Sequence, residues 1–529
     1  MKEKKLKEKI FTVGKSRAPY SETVKVKTET GGYGVVKSLV VFLIIAVQLA
    51  FWVYIGISFA FAFKWAIVVS FVLSLITCIY VLSSNKNSLS KAVWIIFLLL
   101  FFYFGHIIYL ISDERIFFKR ARKRFDGIYK NSDVYLDCQN KITGVSKTVN
   151  RDLEYLYSSG KFKAYNDTSV RYFSSGTLYW NDIIEKLKQA KKFIFIEFFI
   201  ISDGALLERI LSILKEKAKN GVNIRIIYDD MGSRKALSGK TKKRIKNLGV
   251  KLYSFNRLKP IFSVALNYRD HRKMIIIDGE TAYTGGCNLA DEYVNEKRLH
   301  GYWKDSGVRL DGKSVDGFIV MFLRQWEYLS KEREDYSAFL NLYSQVENSS
   351  AVVPYADGLD YRFPIGKSVY ENMISSATEK IYIMTPYFIP DDTLTNLLIN
   401  KAVSGVDVRI LLPEIPDKKL VYEVTRNNAE KLIDYGVKVY CMKHSFVHSK
   451  VMLTENSAVV GSINMDLRSF YQQFECAIYT DDKTAMKEIE KDFDNSFILS
   501  MLISDNNKKR KSFLYRALGG LMQLFAPFF

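Results

Sequence analysis

Cysteine and histidine are scarce, five of each in 529 residues. Cys78, Cys138, Cys287, Cys441 and Cys476 are scattered without a C-x-x-C spacing. That pattern argues against a zinc site or a disulfide framework and suits reduced thiols facing a cytosol. Acidic residues are in deficit as well, 56 against 77 Lys and Arg, for a formal net charge of +21. Such a balance favours anionic partners, either nucleic acid or an anionic membrane surface, and charge alone does not choose between them. Charge is missing altogether from residues 38–63, 65–82 and 92–111. Each of these runs approaches or exceeds the roughly 20 residues that cross a bilayer, and Trp52, Trp65 and Trp94 suit interface anchors. The block is too long, too repeated and too late for a cleaved signal peptide.

Two stretches 177 residues apart carry the same pattern. The first is His271-Arg272-Lys273, an apolar run, Asp278, then Gly285-Gly286-Cys287-Asn288; the second is His448-Ser449-Lys450, an apolar run, Glu455, then Gly461-Ser462-Ile463-Asn464. On an extended strand, residues i and i+2 share a face, so each copy presents an imidazole beside an ammonium while the apolar run buries the strand. That pair suits a phosphate, because lysine supplies fixed positive charge and histidine acts as nucleophile or as proton donor and acceptor. A lone H-x-K is common and usually inert. Here two of only five histidines occupy equivalent places, each with the same downstream Gly and Asn.

The doubled H-x-K pattern resembles the phospholipase D superfamily. Asp270 before His271, the segment Asn288 to Tyr293, Trp303-Lys304-Asp305, the segment Gly461 to Ser469, and Phe474-Glu475 narrow the resemblance to bacterial cardiolipin synthases of that type. It runs from the hydrophobic N-terminal part to near the C-terminus. The fold it implies is α/β, two pseudo-symmetric phospholipase D-type α/β/α halves preceded by N-terminal transmembrane helices.

The chain in order fits that plan. Residues 1–37 hold ten Lys or Arg and four Glu, a basic tail suited to anionic head groups. Residues 38–111 are read as two or three membrane helices. Basic flanks lie on both sides of the block; three crossings would separate them, so either one run is re-entrant or interfacial, or one flank lies against the positive-inside tendency. Residues 112–150 are read as a basic juxtamembrane linker, which places the catalytic part in the cytoplasm of a multi-pass bacterial membrane protein. The halves span 151–345 and 346–503. In the first, 193–200 reads as a strand, 205–219 as a helix and 222–228 as a strand; 381–389, 394–403 and 406–412 repeat the order. The lysine-rich stretch 234–257 is either a solvated helix face or a lipid-facing surface. Residues 504–529 join a basic cluster to an amphipathic segment, an interfacial anchor or a helix packed on the catalytic domain.

The resemblance implies a site built from His271, Lys273, Asp278, His448, Lys450 and Glu455, in which one imidazole attacks phosphorus and the other moves protons; which does which stays open. Asn288, Ser462 and Asn464 are expected to help the lysines stabilise the phosphate oxygens, and Asp305 and Glu475 to orient the imidazoles. Asp278 and Glu455, which close their motifs, are expected to be more structural than chemical. A carboxylate at Asp270 close to His271 would favour the imidazolium. No metal or other cofactor is expected. The implied substrate is phosphatidylglycerol, as donor and acceptor, in contact with anionic membrane lipids and with no nucleic acid; homo-oligomerisation stays open. Competing expectations are a membrane-bound phospholipase D, another phosphatidyltransferase, a nuclease of the same superfamily, or a non-catalytic lipid-binding scaffold.

Overall fold

The structure is a computed structural model. It describes residues 43, 46–54, 64–84, 88–112, 114–136, 142–257, 268–358 and 360–504, so the basic tail and the C-terminal amphipathic segment lie outside the described residues, as do Cys138 and most of the run 38–63. The chain forms two compact units, residues 1–73 and 74–529.

Helix Lys64–Leu82 is the one described helix long and apolar enough to cross a membrane. Its 19 residues reach about 28 Å, close to the hydrocarbon thickness of a bilayer. The run 92–111 does not continue as a single span. It divides into Ser88–Leu100 and Gly105–Ser112, and the two helices fold back so that Trp94 and Tyr109 meet edge to face at 4.9 Å. Gly105 permits the reversal: a Cβ there would stand 3.3 Å from Leu98 Cα. Neither helix has the length of a span, so among the described residues the expectation of two or three membrane helices reduces to one of spanning length and a folded-back pair.

The stretch read as a basic linker contains helix Glu114–Ser132, which packs on helix Val315–Ser330. Phe125 stacks on Tyr328 at 4.1 Å, and Arg324 donates to Asp133 at 2.6 Å. These residues therefore belong to the catalytic body.

That body is built from a repeated sheet. The first half contributes β1 (Thr168–Phe173), β2 (Phe193–Phe198), β3 (Asn223–Asp229), β4 (Lys251–Phe255), β5 (Arg269–Asp270), β6 (Lys273–Ile277), β7 (Thr281–Gly285), β8 (Tyr302–Lys304) and β9 (Gly307–Gly312). The second contributes β10 (Val352–Asp357), β11 (Lys380–Met384), β12 (Phe388–Ile389), β13 (Asp407–Pro413), β14 (Lys438–Met442), β15 (Ser445–Val447), β16 (Val451–Thr454), β17 (Ala458–Gly461), β18 (Met465–Asp466), β19 (Gln473–Thr480) and β20 (Ser500–Leu502). Seven strands order as β1-β9-β7-β6-β2-β3-β4, and the other large sheet runs β10-β19-β17-β16-β11-β13-β14 before adding β20. The two orders correspond strand for strand. Strands β2, β6, β16 and β19 are buried at every residue, as expected of strands covered on both faces. Helix Val315–Ser330, apolar nearly all round, lies between the sheets and touches β4, β6, β7 and β9 on one side and β10 on the other.

Two short parallel ladders tie the halves together where the motifs begin. Strand β5 pairs with β19, Asp270 opposite Phe474, and β15 pairs with β8, Val447 opposite Lys304. Each ladder ends one residue before a motif histidine and one residue before an acid of the other half.

Candidate active site

Chain geometry at those ladders makes one site out of two halves. His271 N donates to Phe474 O at 2.8 Å, and His448 N donates to Lys304 O at 2.7 Å. The side chains cross in the same way. His271 Nδ1 lies 2.9 Å from both oxygens of Glu475, and His448 Nδ1 lies 2.8 Å from Asp305 Oδ2. A carboxylate at Nδ1 selects the tautomer that leaves Nε2 free to meet phosphorus or to carry a proton. Both rings are buried, with Phe199 edge-on to His271 at 5.0 Å and Tyr293 edge-on to His448 at 5.3 Å.

The motif lysines follow their histidines closely. Lys273 Nζ donates to His271 O at 2.7 Å; Lys450 Nζ donates to His448 O and stands 3.0 Å from His448 Nδ1. The histidines themselves precede β6 and β16 rather than lying within them, so the shared strand face expected from the spacing becomes a lysine folded back on its own motif.

Burial and the neighbouring ammonium groups set the protonation state. Burial, then Lys273 and Lys450, push the His271 imidazole well below its usual value, while burial and Lys450 bring His448 down to about 4 against the pull of Asp305. Both rings are therefore neutral at neutral pH. Burial lowers Lys273 and brings Lys450 down to about 7. Burial opposes ionisation of Asp305, yet His448 and Lys450 hold its carboxyl below the ordinary range; at Glu475 burial prevails and pushes the carboxyl well up, against Lys273. An arriving phosphodiester anion reverses the pressure on the bases, favouring charged lysines and one imidazolium.

The other expected residues divide. Ser462 Oγ donates to Glu475 Oε2 and accepts from Cys476 N at 3.0 Å, so its hydroxyl supports the acid instead of reaching for phosphate. Asn288 accepts from Ile200 N at 3.1 Å and donates to Tyr293 OH at 2.6 Å, bracing the wall beside His448. The Asn464 backbone N–H donates to Ser469 Oγ at 3.3 Å, and its buried Oδ1 has no hydrogen-bond partner among the described residues. Asp278 and Glu455 stand apart from the imidazoles. Asp278 accepts from the N–H groups of Lys191, Lys192 and Phe193 at 2.6–2.9 Å, beyond the end of β6 remote from His271, a strand of about 16 Å. Glu455 binds Thr378 N at 2.7 Å in the equivalent place. They pin their hairpins and touch no reacting group. Asp270 is engaged elsewhere: its carboxylate accepts from Arg272 N at 3.3 Å and shares a buried cluster with Glu197 and Arg272, and the leading charges on His271 are those of Lys273 and Lys450.

Sequence reasoning assigned no part to Ser469, whose hydroxyl donates to Glu475 Oε1 at 2.8 Å, nor to Phe199 and Tyr293. Ser469 sat inside the quoted motif, but only the fold shows which acid it serves.

Comparison with known proteins gives the same picture. The family model for the PLD-like domain of cardiolipin synthase matches residues 183–300 and 370–497, one copy per half. A phospholipase D-nuclease N-terminal family matches 71–112. A cardiolipin synthase of Alkalihalophilus pseudofirmus is 31% identical over 463 residues, covering 85% of this chain and 91% of its own. The chain belongs to the cardiolipin synthase family with PLD-like domains. A protein of Streptococcus mutans is 34% identical over 456 residues, covering 85% of this chain and 98% of its own. The fold is shared more widely: the crystal structure of phosphatidylserine synthase from Haemophilus influenzae covers 72% of this chain and 97% of its own at 14% identity, with a TM-score of 0.56. Both H-x-K motifs of this family member fall inside the matched segments, as does Glu475, whereas Asp305 lies just past the first.

Proposed function

We propose that the protein is a membrane-bound cardiolipin synthase that moves a phosphatidyl group from one phosphatidylglycerol to another through a phosphohistidine. The observation that carries this reading is the crossed pair of imidazoles, each held at Nδ1 by an acid of the other half. One Nε2 attacks phosphorus as the bond to the glycerol oxygen breaks, and the other imidazole, charged once the anion is bound, gives its proton to that oxygen. Glycerol leaves. The second imidazole then takes the proton of a hydroxyl on the incoming phosphatidylglycerol, whose oxygen displaces histidine from phosphorus. Lys273 and Lys450 stabilise the charge on the equatorial oxygens in a site from which water is largely excluded.

The proposed setting is the cytoplasmic face of a bacterial membrane. Helix Lys64–Leu82 supplies an anchor of spanning length, and the basic residues of helix Glu114–Ser132 follow the apolar block directly.

The test is to incubate the purified protein in phosphatidylglycerol vesicles and follow products by mass spectrometry. Cardiolipin with equimolar glycerol is expected, reduced by about three orders of magnitude in both His271→Ala and His448→Ala. Phosphatidic acid as the only product would replace the transferase reading with a hydrolase.

A further inference from the structure

We propose that Arg468 forms a second anion subsite, which takes the phosphate of the acceptor phospholipid rather than the phosphate under attack. This rests on the phosphatidyl-transfer reading above. A transferase whose acceptor is itself a phospholipid must hold two phosphodiester anions at once, one glycerol apart, whereas a hydrolase needs only one. The two imidazoles and two lysines account for the first anion. The second requires another cation beside them.

Arg468 stands where that cation is needed. It lies in the first turn of the short helix Leu467–Gln472, and the next residue, Ser469, donates to Glu475 Oε1 at 2.8 Å. Its charge reaches the His271 ring. The guanidinium is half-buried, yet its Nε has no hydrogen-bond partner among the described residues, and no ion pair reaches it there. The nearby acids are committed elsewhere. Asp466 caps the same helix through Ser469 N at 2.8 Å. Asp229 accepts from the N–H groups of Met231, Gly232 and Asp270 and pairs with Arg269 at 3.4 Å. Burial holds the Arg468 guanidinium below its usual basicity, with Arg269 adding to the effect against Asp466.

A partly dehydrated cation whose Nε is unpaired among the described residues, and whose nearest acid Asp466 is committed to a helix cap, is an unfavourable arrangement that an arriving anion relieves. Arginine also has the right shape, a planar fork that offers two parallel N–H groups to phosphate oxygens. Lys418 shares this rim: its ammonium stands 5.4 Å from the Tyr387 ring and its charge reaches Asp466. An acceptor phosphate on this rim would direct the free glycerol hydroxyl of its lipid toward the space between the imidazoles.

The test uses the full-length enzyme with phosphatidylglycerol and deuterated glycerol, so that two acceptors compete for one covalent intermediate. The phospholipid acceptor gives cardiolipin; glycerol, which has no phosphate, gives deuterated phosphatidylglycerol. In Arg468→Gln the ratio of cardiolipin to deuterated phosphatidylglycerol should fall about tenfold or more, and Arg468→Lys should recover part of it. Thermal melting of both variants checks the fold. A ratio equal to that of the wild type, whether both products fall together or neither does, would overturn the proposal. Wild-type enzyme that makes neither product would overturn the phosphatidyl-transfer reading, and this inference with it; deuterated phosphatidylglycerol without cardiolipin would overturn the phospholipid acceptor and this inference alone.

Discussion

The two halves carry the same seven strands in the same order and the same H-x-K arm, but they support their acids differently. Glu475, which serves His271, is held by the hydroxyls of Ser462 and Ser469. Asp305, which serves His448, is one methylene shorter and is held by Ser306 N at 2.8 Å. The turn residue follows from that length. A Cβ at Gly286 would stand 2.1 Å from Asp305 Oδ1 and 2.8 Å from His448 O, while its counterpart Ser462 has room for a side chain that reaches Glu475. Aspartate goes with glycine, and glutamate with serine. The middle residues of the motifs differ in the same spirit: Arg272 is buried with Asp270 and Glu197, and Ser449 is buried with its hydroxyl unpartnered among the described residues. Duplicated arms can thus keep identical reacting groups while the layer behind them diverges, provided acid length and turn residue change together.

Exchanging the turn residues is the strongest way to break this comparison. Gly286→Ser drives a side chain into Asp305 and should cost about a hundredfold in cardiolipin formation, the scale of a displaced catalytic group. Ser462→Gly removes one hydrogen bond to an acid and should cost about tenfold. Steady-state rates for the two variants, with equal losses, would refute the coupling.

The pH profile sharpens the comparison at the lysines. Lys450, brought down to about 7 by burial, is charged below that value and loses its proton as pH rises through it. The alkaline limb of kcat/KM should therefore fall near pH 7. In kcat the limb should move upward, because bound phosphate favours the ammonium. A kcat/KM that stays flat well above neutrality would count against Lys450 losing its proton near pH 7 in the free enzyme.

The smallest effect on rate is expected at the hairpin pins. Asp278→Asn weakens three N–H bonds, one buried and two part-buried, and should lower stability by about 1–3 kcal/mol, read as a lower melting temperature. Below that temperature the rate should stay within about twofold, since no reacting group is touched. Glu455→Gln, at a more exposed position, should shift melting less. A large loss of rate in a well-folded variant would return these carboxylates to the chemistry.

Much of this was legible in the chain because it depends on residue identity at fixed spacing. Two H-x-K motifs and two strand-helix-strand repeats can be seen without coordinates, and the family resemblance adds the two acids Asp305 and Glu475. The crossing of the acids cannot. It depends on β5 against β19 and β8 against β15, ladders of two and three residues that are too short to leave a periodicity signal. The third apolar run stays open in the sequence between a crossing and a re-entrant or interfacial segment for a related reason: composition measures how apolar a segment is, and only backbone geometry shows it doubling back at Gly105. Ser462 and Asn288 were read as phosphate ligands because side chains near a motif resemble one another in sequence whether they face the substrate or brace the residues that do.

By itself, then, the sequence determined the two H-x-K motifs, the repeat, the apolar runs and the excess of positive charge, all properties local to a residue or its spacing. The tertiary structure alone decided which acid orients which histidine, how far burial moves each proton, and which polar groups are taken up by their neighbours. Those depend on distances between segments some two hundred residues apart, and Coulomb and desolvation energies are set by such distances rather than by order along the chain.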